Sequence, residues 1–208
     1  MGLMGHHFDI VDQSTFRNGI SRLGAAVSVV TTNTADQRYG FTASAVCSVS
    51  DTPPTLLVCI NRSSSCFPAF ANTRHFCVNT LMPGQEDIST HFDGKSPMEK
   101  RFSYGDWMEG INGVPVLTTA SVSFECELTN AVDEATHRIL FGRVLNIREN
   151  AQQATLLYCS RRYLNERLAC CETPASLDVS CRSQRSDTSS CLLRTLSSAT
   201  ARRSRRSC

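Results

Sequence analysis

Three groups of residues in this chain have the types and spacing for chemistry. Asn61-Arg62-Ser63-Ser64-Ser65 offers an amide, a guanidinium, three hydroxyls and several turn amides together. Those groups can hold a phosphate without a Gly-rich loop, and Cys66 to Ala71 are placed to start a helix behind them. The same composition also suits a plain polar loop with a helix cap. Thr42, Ser44, Ser48 and Ser50 stand two or four residues apart, so a strand puts them on one face. A small polar face either meets water on the outer side of a hairpin or lets something flat approach the backbone. The third group is His137, after the loop Ala131–Thr136; alone it suits a polar strand start as well as a catalytic role.

Other reactive residue types point elsewhere. The chain has 11 cysteines but no Cys-x-x-Cys pair, which argues against a zinc site or a thioredoxin-type motif. Cys47, Cys59, Cys77 and Cys126 fall in apolar, strand-like runs, where a thiol behaves as a small hydrophobe. His6-His7 lies near a terminus, where histidines are usually solvated. No metal is expected. No G-x-G-x-x-G, Walker A or G-x-S-x-G pattern occurs. Nor does any signal peptide or apolar run long enough to span a bilayer, and Met1-Gly2 lacks the myristoylation pattern because His6 stands where Ser or Thr is wanted. No membrane partner is expected, and the free thiols place the protein in a reducing cytoplasm.

The elements that must position these groups follow from periodicity. With 208 residues, of which 41% are hydrophobic, the chain suits one domain plus a tail. Residues 1–11 are expected to be a loose, flexible lead-in. Asp12 or Ser14 can cap a helix carrying Phe16, Ile20 and Leu23 on one face. Ala25 to Thr32 is β-branched and reads as the first strand. Tyr39 to Asn61 reads as a strand, a tight proline turn over Asp51–Pro54 and a second strand, TLLVCI, apolar throughout as if buried on both faces. Arg74 to Leu81 alternates as a strand, Gln85 to Phe92 as a short helix. Ala120 to Leu128 and Arg138 to Arg148 are further strands, and Leu156 to Tyr158 a last short one. About seven short strands with hairpin-like links predict a closed antiparallel barrel with helical decorations.

From about Leu164 the character changes to a Ser/Arg-rich tail without aromatic residues beyond that point, expected to be disordered over residues 164–208. Counting from Arg161, ten arginines face four acidic residues, so the tail is basic and the remainder mildly acidic. That balance argues against a nucleic-acid-binding domain, although an arginine tail could touch anionic surfaces.

In order along the chain, FRNGISRLGAAVSVVTT, GFTASAVCSVSDTPPTLLVCIN, FCVNTL, GQE, HFDGKSPMEKRF and ATH resemble the flavin reductase family of two-component monooxygenases. The likeness runs from about Val11 to Tyr163, the segment 12–163 forming the domain. The branch serving pyrimidine utilisation is nearest, that serving 4-hydroxyphenylacetate 3-monooxygenase next. The resemblance implies a mainly β, split-barrel (Greek-key) FMN-binding fold with a few short helices, acting as a homodimer. It implies hydride transfer from NADH to a loosely held FMN, with FAD or riboflavin as possible substitutes, and release of reduced flavin to a partner flavin-dependent monooxygenase. Carried onto this chain, Thr42, Ala43, Ser44, Ala45 and Val46 lie along the isoalloxazine and Ser48 near the ribityl chain. Asn61, Arg62, Ser64 and Ser65 take the phosphate end, and Lys95, after Phe92, adds a cation. Tyr163 belongs to the same binding set, and His137 lies by the nicotinamide as the catalytic residue.

Two positions depart from the family pattern. Ala135 replaces the glycine of Gly-Thr-His, and Leu164 replaces the histidine of Arg-x-Tyr-His where the unpatterned tail begins. A reading-frame change or a divergent end is the expected origin of the second. A barrel that binds flavin without catalysis is the competing reading.

Overall fold

A computed structural model describes residues 9–35, 37–150 and 154–164. The expected flexible lead-in and tail lie outside these residues, apart from Asp9–Val11, which carry no regular structure, and Leu164, which ends a strand. Asp12 caps the first helix, α1 (Gln13–Ile20), accepting from the N–H groups of Ser14 and Thr15 at 2.9 and 3.0 Å. Hydrogen bonds from the side chains of both residues hold the Asp12 carboxyl below its ordinary value. The face Phe16, Ile20, Leu23 is not buried as its spacing predicts; Phe16 and Leu23 are 61% and 66% exposed. The helix is tied down at its C-terminal side by polar contacts, Ser160 N–H to Ser21 O and Arg161 to Asn18, and is not laid across the sheet.

Short strands β1 (Ala25–Ala26), β11 (Leu157–Cys159) and β12 (Arg162–Leu164) form a small antiparallel sheet beside α1. The main sheet comprises β2 (Ser28–Asn33), β3 (Arg38–Ala43), β4 (Val46–Asp51), β5 (Pro54–Asn61), β6 (His75–Thr80), β9 (Val122–Glu134) and β10 (His137–Glu149). Its order is β3-β2-β6-β9-β10-β5-β4, antiparallel throughout. Strands β7 (Trp107–Glu109) and β8 (Pro115–Leu117) pair separately. Helices α2 (Phe67–Ala71), α3 (Glu86–His91) and α4 (Met98–Arg101) are each under two turns.

The fold is mainly β as expected, but the sheet is not closed. Its edges, β3 and β4, are consecutive in the chain and do not pair. Between them Ser44-Ala45 turn a corner, and the polar backbone there is claimed by other partners: Thr42 N–H donates to Phe92 O and Cys59 N–H to Ala45 O, at 2.9 and 3.1 Å. Backbone groups already paired cannot zip the two edges together. This break also means that Thr42 and Ser44 do not share one continuous strand face with Ser48 and Ser50.

Two further expectations change. Strand β5 is not buried on both faces: Leu56, Val58 and Ile60 are buried, while Leu57 and Cys59 are half-buried on the other side. The doubly buried strand is β2, where Ser28 to Thr32 are all inaccessible. Val30 packs inward with Phe41, Phe76 and Leu140, and Val29 packs outward with Leu81, Phe92 and Leu117. Residues Ala131–Glu134, expected as loop, extend β9, so that β9 and β10 form an arm of 13 residues each. Opposed pairs Asp133–Arg138, an ion pair at 2.6 Å, and Val132–Ile139 carry the ladder past its polar residues.

One buried amide holds the middle of the sheet. Asn79 on β6 donates to Val29 O (3.1 Å) and Thr31 Oγ1 (3.2 Å), and its Oδ1 accepts from Leu117 N–H and Ser123 Oγ, both at 2.9 Å. Four strands are thus fastened by one side chain.

Over the outer face of β2 and β3 lies an aromatic group, Phe92 with Phe102 and Trp107, centroids 5.1 and 5.5 Å away. Gly40 on β3 sits directly beneath Phe92: a Cβ there would lie 2.7 Å from the ring and 3.2 Å from Val30 O. Phe92 is fully buried and cannot swing clear. Gly40→Ala is therefore expected to destabilise the fold by about 1–3 kcal/mol, lowering Tm by several degrees in a thermal melt.

Candidate active site

The open corner of the sheet borders a cavity of about 710 Å³. One wall is the end of β3 and the corner, Phe41 to Ala45. The floor is the end of β5, Cys59 and Asn61, with the turn Ser63–Ser65 after it; the far side is Phe92 to Lys95, from the loop between α3 and α4. His137, first residue of β10, faces Asn61 across the ladder. Segments distant in sequence meet because β5 lies between β4 and β10, while α3 is pinned to β3 through Thr42 and Phe92.

The corner is built from small residues. Ser44 and Ala45 are exposed and line the cavity, with no bulky side chain to cover the main chain there. Thr42 lines the wall, but its hydroxyl is engaged, donating to Ser89 O at 2.6 Å. Asn61 folds its own loop: Oδ1 accepts from Ser63 N–H and Ser63 Oγ at 2.9 and 2.8 Å, which gathers the serines at one end. Helix α2 behind them has only five residues and no side-chain cap, so it adds no N-terminal field to speak of. Positive charge at this end must come from side chains.

Lys95 supplies some of it. Gly94, at φ +103°, turns the loop so that Lys95 comes back on Asp93. Lys95 Nζ lies 2.8 Å from Asp93 Oδ2, and its N–H donates to Oδ1 at 3.0 Å. Burial alone would raise the Asp93 carboxyl; the Lys95 bonds, then the charges of Lys95 and Arg101, outweigh it and hold the group below its ordinary value. Burial pushes the Cys59 thiol up, so this sulfur enters the cavity as a neutral group. His137 is exposed, with Nδ1 2.9 Å from Thr136 Oγ1.

The cavity thus gathers Thr42, Ala43, Ser44, Ala45, Asn61, Ser64, Ser65, Phe92, Lys95 and His137 of the residues expected from the sequence. Four others lie outside its lining. Val46 opposes Val58 on β4 and packs against the core. Ser48, opposite Leu56, is carried off along the edge strand. Arg62 turns to the tip of the arm, its N–H donating to Thr136 O at 2.9 Å and Nη1 to Ala135 O at 3.4 Å. Tyr163 stands behind α3, donating to Ser89 Oγ at 3.0 Å, and so braces the residue that holds Thr42. The sequence reasoning missed Phe41, Cys59, Asp93 and Gly94, and read Ser63 only as part of the polar run after Asn61. Alternation along β5 could have found Cys59, which shares a face with Asn61.

No group of three or more His, Cys, Asp or Glu side chains that could hold a metal occurs among the described residues. The available chemistry is that of hydroxyls, amides, one ammonium and one imidazole around a trough with open backbone: binding and orientation of a flat molecule bearing an anion.

Comparison with known proteins agrees with this geometry. The family described as "Flavin reductase like domain" matches residues 20–167, and the chain belongs to that family. It is 50% identical over 155 residues to the FMN reductase (NADH) RutF of Escherichia coli O157:H7, covering 74% of this chain and 94% of that one. Among solved structures, the NADH:FAD oxidoreductase SgcE6 of Streptomyces globisporus C-1027, in complex with NAD and FAD fragments, superposes with a TM-score of 0.70. It is 25% identical, covering 76% of this chain and 96% of its own. BorF, the flavin reductase component of a bacterial two-component tryptophan halogenase, has a TM-score of 0.68 and 28% identity over 74% of this chain and 97% of its own.

Proposed function

We propose that this protein uses NADH to reduce FMN and releases the reduced flavin to a separate flavin-dependent monooxygenase. The observation that carries the reading is the single trough in which open corner backbone, the serine turn, Lys95 and His137 converge. The flavin supplies the hydride-accepting chemistry; the protein has to bind and orient two ring systems. Ala43, Ser44 and Ala45 leave room for a flat ring against the main chain, which a row of β-branched residues would close. Ser63, Ser64, Ser65 and Lys95 receive the phosphate, and His137 orients the nicotinamide. FAD and riboflavin fit the same trough in its isoalloxazine part. The resemblance of its motifs favours an oxygenase of pyrimidine rings over one of aromatic substrates, and the reaction runs in the cytoplasm. No helix among the described residues is long and apolar enough to cross a membrane.

A homodimer is part of this reading. On the outer face of the sheet, Ile139 opposes Val132 and Cys59, Phe141 opposes Leu57, and Leu57 opposes Cys47. Val132 is 44% exposed and Cys47 is exposed, so the strip is uncovered, and it runs up to Asn61 and His137. A second copy covering it would also border the trough.

Leu164 favours a second reading, a flavin-binding barrel without catalysis. It sits opposite Leu157 at the end of β12, an apolar side chain where the family pattern has an imidazole.

Purified full-length protein is expected to oxidise NADH, followed at 340 nm, only when FMN is added. His137→Ala should raise the Michaelis constant for NADH or slow turnover, about tenfold for one lost hydrogen-bonding ring. FMN binding without any NADH oxidation selects the second reading. In sedimentation velocity the wild type should run as a dimer and Ile139→Asp as a folded monomer; a monomeric wild type removes the dimer.

A further inference from the structure

Arg101 is a buried cation that nothing in the proposed reaction uses. Its side chain belongs to a residue only 2% exposed, at the end of α4. A guanidinium taken out of water is expensive unless paired, and it cannot escape by losing its proton. None of the ion pairs among the described residues includes it. It donates instead to neutral acceptors: Nη1 to Gly40 O at 2.8 Å and to Cys66 Sγ at 3.2 Å, and Nε to Ser96 O at 3.0 Å.

Those acceptors locate it. Gly40 is two residues from the trough wall at Thr42. Cys66 follows the serine turn directly, and its N–H donates to Ser64 Oγ at 3.3 Å. Ser96 follows Lys95. The guanidinium therefore lies just behind the anion end, between the serine turn and the lysine loop, and its charge is felt at Asp93 inside the trough. A buried charge is screened by salt less than an exposed one. Lys95, by contrast, is 87% exposed and already engaged by Asp93.

We propose that Arg101 is the buried counter-charge for the phosphate of the flavin nucleotide: a positioning residue that selects phosphorylated over unphosphorylated flavin. It acts through the field it sets up at the serine turn and through the three segments it ties together. This rests on the reading that the trough binds flavin, and deepens it.

The test is equilibrium binding of FMN and riboflavin, by flavin fluorescence, to the full-length protein and its variants. Wild type should bind FMN more tightly than riboflavin. Arg101→Met should weaken FMN about tenfold to a hundredfold while riboflavin stays within about threefold, and Arg101→Lys should recover most of the FMN affinity. Equal losses for both ligands, as a merely structural arginine would give, overturn the proposal, as does an unchanged FMN affinity. Should circular dichroism show Arg101→Met unfolded, Lys95→Met decides, since Lys95 is on the surface: a preference for FMN that persists supports a second, buried cation, and its complete loss overturns it. A wild type that binds riboflavin but does not prefer FMN overturns the Arg101 proposal alone. One that binds neither ligand overturns the flavin reading with it.

Discussion

The close approach of Phe92 to Gly40 is the contact on which the site depends. A ring occupies the space where any other residue of β3 would have a side chain. From that seat Phe92 O accepts from Thr42 N–H, which ends the edge strand and keeps the corner open. The same glycine's carbonyl, on the other side, accepts from Arg101 and from the Cys66 thiol. One missing Cβ therefore joins three segments: the sheet edge, the loop bearing Lys95 and the helix after the serine turn. It also brings the outer aromatic layer, Phe92, Phe102 and Trp107, into contact with the wall of a polar trough.

Much of this was legible in the chain. Asp12 could be read as a cap because its carboxylate precedes two hydroxyl residues, and β6 and α3 because their polarity alternates or recurs cleanly. The order of motifs pointed to the split barrel, and ten of the fourteen expected site residues line one cavity. What was not legible has physical causes. The break at Ser44-Ala45 leaves no mark in side-chain polarity, since it is made by backbone bonds to Phe92 and Cys59. Asp133 and Glu134 look like loop residues because the Asp133–Arg138 pair that holds them in the ladder is a tertiary fact. Arg101 counts as a surface charge in any sequence reading, yet it is among the most buried side chains.

The site also shows a division of labour between groups that touch the trough and groups that only fix it. Thr42 spends its hydroxyl on Ser89, and Tyr163 holds Ser89 from behind. Arg62 spends its donors on the tip of the arm, just before His137. Tyr163 and Arg62 are thus removed from direct contact and placed where they set the position of a neighbour. The trough is defined by main chain, short polar side chains and the longer Phe92, Lys95 and His137, with Tyr163 and Arg62 serving as struts.

Asn79 has a consequence of another kind. Its two ends are chemically unlike: the NH₂ faces acceptors on β2, while the oxygen faces donors on β8 and β9. Apolar packing discriminates poorly between strand alignments offset by two residues, since the same faces stay inward. An amide with fixed polarity does discriminate, because any such slip would strand buried donors and acceptors, each at about 1–3 kcal/mol. Asn79 thus works as an asymmetric key, one that admits a single alignment of the central strands and makes every neighbouring misfold a state with orphaned polar atoms.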